Sequence, residues 1–105
     1  MKKKLTTEED YRLRVDRVCM YIREHLDKEI DMRRLAVLSA FSPFHFHRIM
    51  RAYLKEPIGA FIIRTRVETA AKLLRYTDLP VADIAYRVGY DTPSSLTKSF
   101  CKLFG

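Results

Sequence analysis

The feature that most constrains this chain is a repeat within it. Leu35-Ala36 recurs as Ile84-Ala85 at an offset of 49, and Phe46, Arg48, Met50 and Tyr53 recur as Leu96, Lys98, Phe100 and Leu103 at an offset of 50. One residue is added in the second turn. Each copy reads as a short helix, a tight turn at a small residue (Ala40 or Gly89), and a longer helix that starts with Ser42-Pro43 or Thr92-Pro93. A hydroxyl cap followed by proline is a strong helix start, because proline gives up an N–H that has no intrahelical partner there. This is the helix-turn-helix plan, and two copies in 105 residues leave no room for one large core.

The remaining segments agree with an all-α fold. Only three Gly and four Pro interrupt the chain, and apolar residues recur at helical, not alternating, spacing. A capping-box pair, Thr6 with Glu9, opens a first helix over about 8–27 that puts Tyr11, Val15, Val18, Ile22 and Leu26 on one stripe. Glu8, Glu9 and Asp10 then serve as a favourable negative N-terminus. Asp31 caps a second helix to about Ser39 that buries Leu35, Ala36 and Leu38, and the third runs from Pro43 to about Leu54. Pro57 opens a long fourth helix to Tyr76, with Phe61, Ile62, Val67, Ala70, Ala71, Leu73 and Leu74 as its apolar positions. A fifth helix follows Pro80, carrying Val81, Ile84, Ala85 and Val88 and closed by Gly89, and the sixth extends to about Phe104. The predicted organisation is an N-terminal helix plus first helix-turn-helix over 1–55, a linking helix over 56–76 and a second helix-turn-helix over 77–105. Each helix-turn-helix belongs to a homeodomain-like three-helix subdomain.

Charge narrows the partners. Twenty Lys and Arg against thirteen Asp and Glu give +7, which points first to nucleic acid and second to an anionic membrane surface. The longest apolar run, Ile58 to Ile63, is far too short to span a bilayer, and Lys2 to Lys4 are not followed by a signal-peptide core. The expected location is the cytoplasm, on the nucleoid. Lys2 to Lys4 read as a tail or as an extra phosphate contact. No Gly-rich phosphate loop, nucleophile elbow or metal-ligand cluster is present, so neither an enzyme nor a cofactor is expected. His45 and His47 point about 200° apart on a helix and do not share a metal. Cys19 and Cys101 occupy apolar helical positions and read as buried free thiols.

In a helix-turn-helix the second helix meets base edges with its N-terminal residues. On the third helix Phe46, Ile49, Met50 and Tyr53 point inward, which leaves Phe44, His47, Arg48 and Arg51 outward and His45 at the border. On the sixth, Leu96, Ser99, Phe100 and Leu103 point inward, leaving Ser94, Ser95, Thr97, Lys98 and Lys102 available. Phosphates are expected at the helix N-termini capped by Ser42 and Thr92, with Arg51 and Lys102 adding charge. The fourth helix would span roughly 30 Å, close to the ~34 Å between successive major-groove faces, so one chain can read two turns of duplex DNA. Arg66 is expected to pair with Asp83. The competing reading is a helical protein-interaction module that docks a partner such as RNA polymerase.

From Leu35 to Gly105 the chain resembles AraC/XylS-type bacterial transcription regulators. The first unit reads LAVLSAFSPFHFHRIMRAY, the spine RVETAAKLL, and the second VADIAYRVGYDTPSSLTKSF followed by CKLFG. The resemblance implies a seven-helix DNA-binding domain of a transcription activator that recruits RNA polymerase. By position it puts base contacts on Phe44, His47 and Arg48 and on Ser94, Ser95 and Lys98. The SPFHFHR stretch is most similar to the branch that carries a gyrase-inhibitor-like effector domain, which would lie outside this chain. There are departures. Lys55 replaces a usual Gly and Ile58 a frequent Pro, which predicts a differently built turn. Lys98 replaces an Arg, trading a bidentate fork for a point charge, and Leu96 replaces an aromatic. The family's last helix is expected beyond Gly105, which predicts an uncovered apolar face on the second unit. The +7 divides as +1 in residues 1–30, +3 in 31–57, +3 in 58–76 and zero thereafter, so the first unit is expected to supply most of the affinity.

Overall fold

The computed structural model describes residues 4–105, so the expectation for Lys2 and Lys3 lies outside the described residues. Among them the chain forms six helices and no strand: α1 (Thr7–Glu24), α2 (Met32–Ser39), α3 (Pro43–Leu54), α4 (Ile58–Tyr76), α5 (Val81–Arg87) and α6 (Pro93–Phe104). None is long and apolar enough to cross a membrane. The chain divides into two compact units: the described residues to Glu24 with Ile30–Ile58, and His25–Glu29 with Gly59–Gly105.

In the first unit the local signals act as the chemistry dictates. Thr6 Oγ1 accepts from the Glu9 amide at 3.1 Å and donates to the Glu9 carboxylate at 2.8 Å, which closes the capping box. Asp31 caps α2 by accepting from the Arg33 amide at 2.9 Å. Val15, Val18, Cys19 and Ile22 of α1 are buried with Leu35 and Ala36 of α2 and Phe46 and Met50 of α3, and these three helices pack on one another. The turn between α2 and α3 is held from inside and outside. Buried Ser39 donates its hydroxyl to the Ala36 carbonyl at 2.6 Å and accepts from the Phe41 amide at 3.0 Å. Ala40 takes the left-handed conformation, φ 60°, and the Arg14 guanidinium donates to its carbonyl at 3.3 Å while stacking over Phe41. The turn after α3 also passes through a left-handed residue, here a lysine where the family usually has Gly. Lys55 sits at φ 65° and donates its amide to the Arg51 carbonyl at 2.9 Å.

In the second unit Ala70, Ile84, Ala85, Val88 and Leu96 form the core, with Leu73, Leu79 and Tyr90 against it. α5 ends in a Schellman closure. The Tyr90 amide reaches back to the Ala85 carbonyl at 2.9 Å and the Gly89 amide to Tyr86 at 3.1 Å, with Gly89 at φ 96°.

Several sequence readings are corrected. α1 stops at Glu24, and Leu26 is buried in the segment that belongs to the second unit. Arg66 does not pair with Asp83; its Nη2 donates to the Lys28 carbonyl at 3.0 Å, which secures that segment. Leu74 and Val81 are exposed where burial was expected, and so is Cys101. Near the end of α6 Leu103 is 39% exposed and Phe104 56%. Leu103 joins Ala60, Ile63, Ser99 and Lys102 around a groove of about 390 Å³, so the second unit does carry an open apolar face.

Candidate nucleic-acid interface

Each unit uses its core stripe to hold one helix by its inner side and leave the other side in solvent. On α3 the inner anchors are Phe46 and Met50, with Ile49 and Tyr53 half-buried, while Phe44, His45, His47, Arg48 and Arg51 are exposed. Phe44 is 87% exposed, an unusual place for a phenylalanine. Its ring stands edge-on to His45 with centroids 5.1 Å apart, and the His47 ring leans on buried Phe46 at 5.2 Å. The sequence left His45 at the border. It belongs to the exposed set, and its Nδ1 lies 3.0 Å from Arg48 Nη2. The spacing of three between His45 and Arg48 was the available signal.

On α6 the anchor is Leu96, with Ser99 and Phe100 half-buried. Ser94, Ser95, Thr97, Lys98 and Lys102 are all exposed, as their spacing requires. They are not equally available. Thr92 Oγ1 accepts from the Ser95 amide at 3.1 Å and donates to the Ser95 hydroxyl at 3.0 Å, so Ser95 is part of the cap. Thr97 returns its hydroxyl to the Pro93 carbonyl at 2.9 Å. Lys102 flanks the apolar groove. Ser94 and Lys98 carry no such tie.

The two helix starts differ as anion sites. At α3 the Phe44 amide donates to Ser42 Oγ at 3.2 Å, and the His45 and Phe46 amides both donate to the Ser42 carbonyl at 2.9 Å. With Pro43 lacking an N–H, the first turn is already satisfied within the chain. At α6 Ser95 and Leu96 are satisfied by Thr92, whereas the Ser94 amide has no acceptor among the described residues. Such an open amide at a positive helix end attracts anions.

An exposed row of donors, acceptors and one aromatic on a rigidly held helix is suited to reading a grooved polyanion, and residues 35–105 match the family described as "Helix-turn-helix domain". The chain belongs to the AraC-type helix-turn-helix family. Members of that family are transcription regulators, not enzymes. The AraC-type chain is 30% identical over 91 residues to "HTH-type transcriptional activator AarP" of Providencia stuartii, covering 87% of this chain and 67% of the relative. It is 35% identical over 92 residues to "F1 operon positive regulatory protein" of Yersinia pestis, covering 87% of this chain but 31% of the relative. The chain thus spans about a third of that longer protein. Its fold is similar to the DNA-binding domain of AdpA, a global transcriptional factor solved in complex with a target DNA (TM-score 0.78, 28% identity, 87% of this chain and 82% of that one).

Proposed function

We propose that this AraC-type chain binds duplex DNA sequence-specifically, each unit setting its second helix in a major groove. The observation that carries the reading is the exposed face of α3. Phe44, His47 and Arg48 stand in solvent at the start of a helix whose opposite side is fixed by fully buried Phe46 and Met50. Arginine is the commonest specific reader of guanine, and an exposed aromatic can contact thymine methyls. Phe44, His47 and Arg48 on α3 and Ser94, Ser95 and Lys98 on α6 are assigned to bases. Ser42, Arg51, Thr92 and Lys102 are assigned to phosphates; the open Ser94 amide strengthens the α6 end, and at Ser42 the hydroxyl and the helix dipole act in place of free amides. The role of activator is carried over from the Providencia transcriptional activator and the Yersinia positive regulatory protein, and RNA polymerase is assigned as the second partner that an activator would engage.

The test is duplex binding against salt. Counterion release from about 6 to 10 phosphate contacts requires affinity to fall by roughly 10³ to 10⁵ between 50 and 200 mM salt. Arg48→Ala should cost about 1 to 3 kcal/mol and relax preference at one base pair. Binding that is flat with salt would assign the exposed helix faces to a protein partner instead.

A further inference from the structure

Arginine side chains are long and rotatable, so an Arg that reads one base has to be held near its reading geometry before it arrives. In α3 that hold is visible. The guanidinium of Arg48 only donates hydrogen bonds, so His45 Nδ1, at 3.0 Å from Nη2, must be the acceptor. In that arrangement the ring hydrogen lies on Nε2. The Phe44 ring packs edge-on against the same imidazole, at 90° with centroids 5.1 Å apart. These contacts come from α3 itself, and no acid or base of another helix bonds His45 among the described residues. Protonation removes the acceptor and sets two cations side by side.

We propose that His45 is a specificity-determining residue of the first unit, which positions Arg48 for base reading only while its ring is neutral. This rests on the DNA-reading role assigned to Arg48 above. Acid conditions then trade selectivity for charge: the added positive charge tightens binding to any duplex, while discrimination at the base pair read by Arg48 declines.

The experiment selects bound sites from random duplexes and finds the base pair at which Arg48→Ala relaxes preference. It then measures binding to the selected duplex and to one changed at that pair, at about pH 8 and about pH 5.5. Two variants are compared with the parent. His45→Leu removes the acceptor; His45→Asn keeps an oxygen near the place of Nδ1 that does not titrate. His45 is exposed, and circular dichroism melts confirm that both variants fold. His45→Leu is expected to lose about three- to tenfold in discrimination at about pH 8, an amount in keeping with one charge-assisted bond at an exposed site. His45→Asn is expected to retain discrimination at both pH values, while the parent loses it on acidification. His47 and His25 remain in all three proteins, so the difference between parent and His45→Asn isolates His45. Full discrimination in His45→Leu, or the same acid loss in His45→Asn as in the parent, overturns the proposal. Arg48→Ala that weakens every duplex equally overturns the base-reading role beneath it.

Discussion

Gly89 is the position where one added carbon should do most harm. A Cβ built there lies 2.2 Å from the Leu26 carbonyl oxygen and 2.9 Å from Arg66 Nε. The first obstacle is backbone in the short segment joining α1 to α2, so it cannot swing aside as a side-chain tip would. The residue also sits at φ 96°, where an L side chain costs about 1 to 2 kcal/mol. Relieving the overlap means drawing the segment from the closing turn of α5, which opens the packing of buried Leu26 and Val88 and strains the Arg66 to Lys28 bond. Together these place the cost of Gly89→Ala at about 3 to 5 kcal/mol. That is a large share of the 5 to 15 kcal/mol typical of a domain, and lowers its melting temperature by roughly 15 °C. Thermal melts followed by circular dichroism measure it, and native-state hydrogen exchange should show α5 and α6 losing protection first. Gly59→Ala is the control. Nothing lies within 4 Å of its Cβ, and it stands in α4, where alanine gains several tenths of a kcal/mol over glycine. Gly89→Ala melting within about 2 °C of the parent, or Gly59→Ala falling as far, would refute the steric argument.

Two further outcomes follow from backbone and burial. Lys55→Gly relieves a left-handed residue at the end of α3 and should raise stability by about 0.5 to 1 kcal/mol after the entropy of the unfolded chain is counted; a loss in urea unfolding would show that the lysine side chain holds that turn. Burial pushes the Cys19 thiol up from its ordinary value, with Asp16 adding to the rise and Arg23 opposing it, whereas Cys101 is exposed. Less thiolate at mildly alkaline pH means slower alkylation, so iodoacetamide should label Cys101 in the folded protein and Cys19 only in denaturant, as peptide mass analysis would report.

Helix starts were legible in the residues because caps are local. Thr6 with Glu9, Asp31, Ser42-Pro43 and Thr92-Pro93 each carry the donor, the acceptor and the spacing within four positions. Helical period likewise separated the exposed face of α3 from Phe46 and Met50, so the candidate site was found as a set of positions. Period gives an angle about the axis but says nothing of what stands opposite. Leu74 and Cys101 lie at apolar angles yet are exposed, and Leu26 is buried beyond the end of its helix. Arg66 shows a related limit: its long chain passed over the carboxylate of Asp83 for the Lys28 carbonyl, a partner 38 residues back that no local pattern nominates. Inside the site, what remained hidden was which groups are already bonded. The tie between His45 and Arg48, the reciprocal cap of Thr92 and Ser95 and the Phe44 amide's bond to the Ser42 hydroxyl depend on rotamers.

Those ties bear on how the two units divide the work. By net charge residues 1–57 hold +4 and α4 of the second unit +3, with no net charge left over residues 77–105, which carry α5 and α6, and this favours α3 over α6 for affinity. Yet Arg14 braces the Ala40 turn and pairs with Asp10 at 3.2 Å, and Arg17 donates to the Leu38 carbonyl at 3.5 Å. Such arginines still contribute to the long-range field that steers a polyanion, while their guanidinium donors are engaged within the chain. The exposed cations on these two helices are evenly matched in number: Arg48 and Arg51 on α3, Lys98 and Lys102 on α6. α6 adds the open Ser94 amide that α3 lacks. The charge excess of the first unit should therefore show in the association rate and its salt dependence, while the contact part of the affinity is shared. The units differ in selectivity for a separate reason. A planar guanidinium held by His45 presents two parallel donors to one base edge, and a freely rotating ammonium at Lys98 presents a point charge. If Arg48 and Lys98 read bases as proposed, sequence preference should be concentrated under α3 even where binding energy is not.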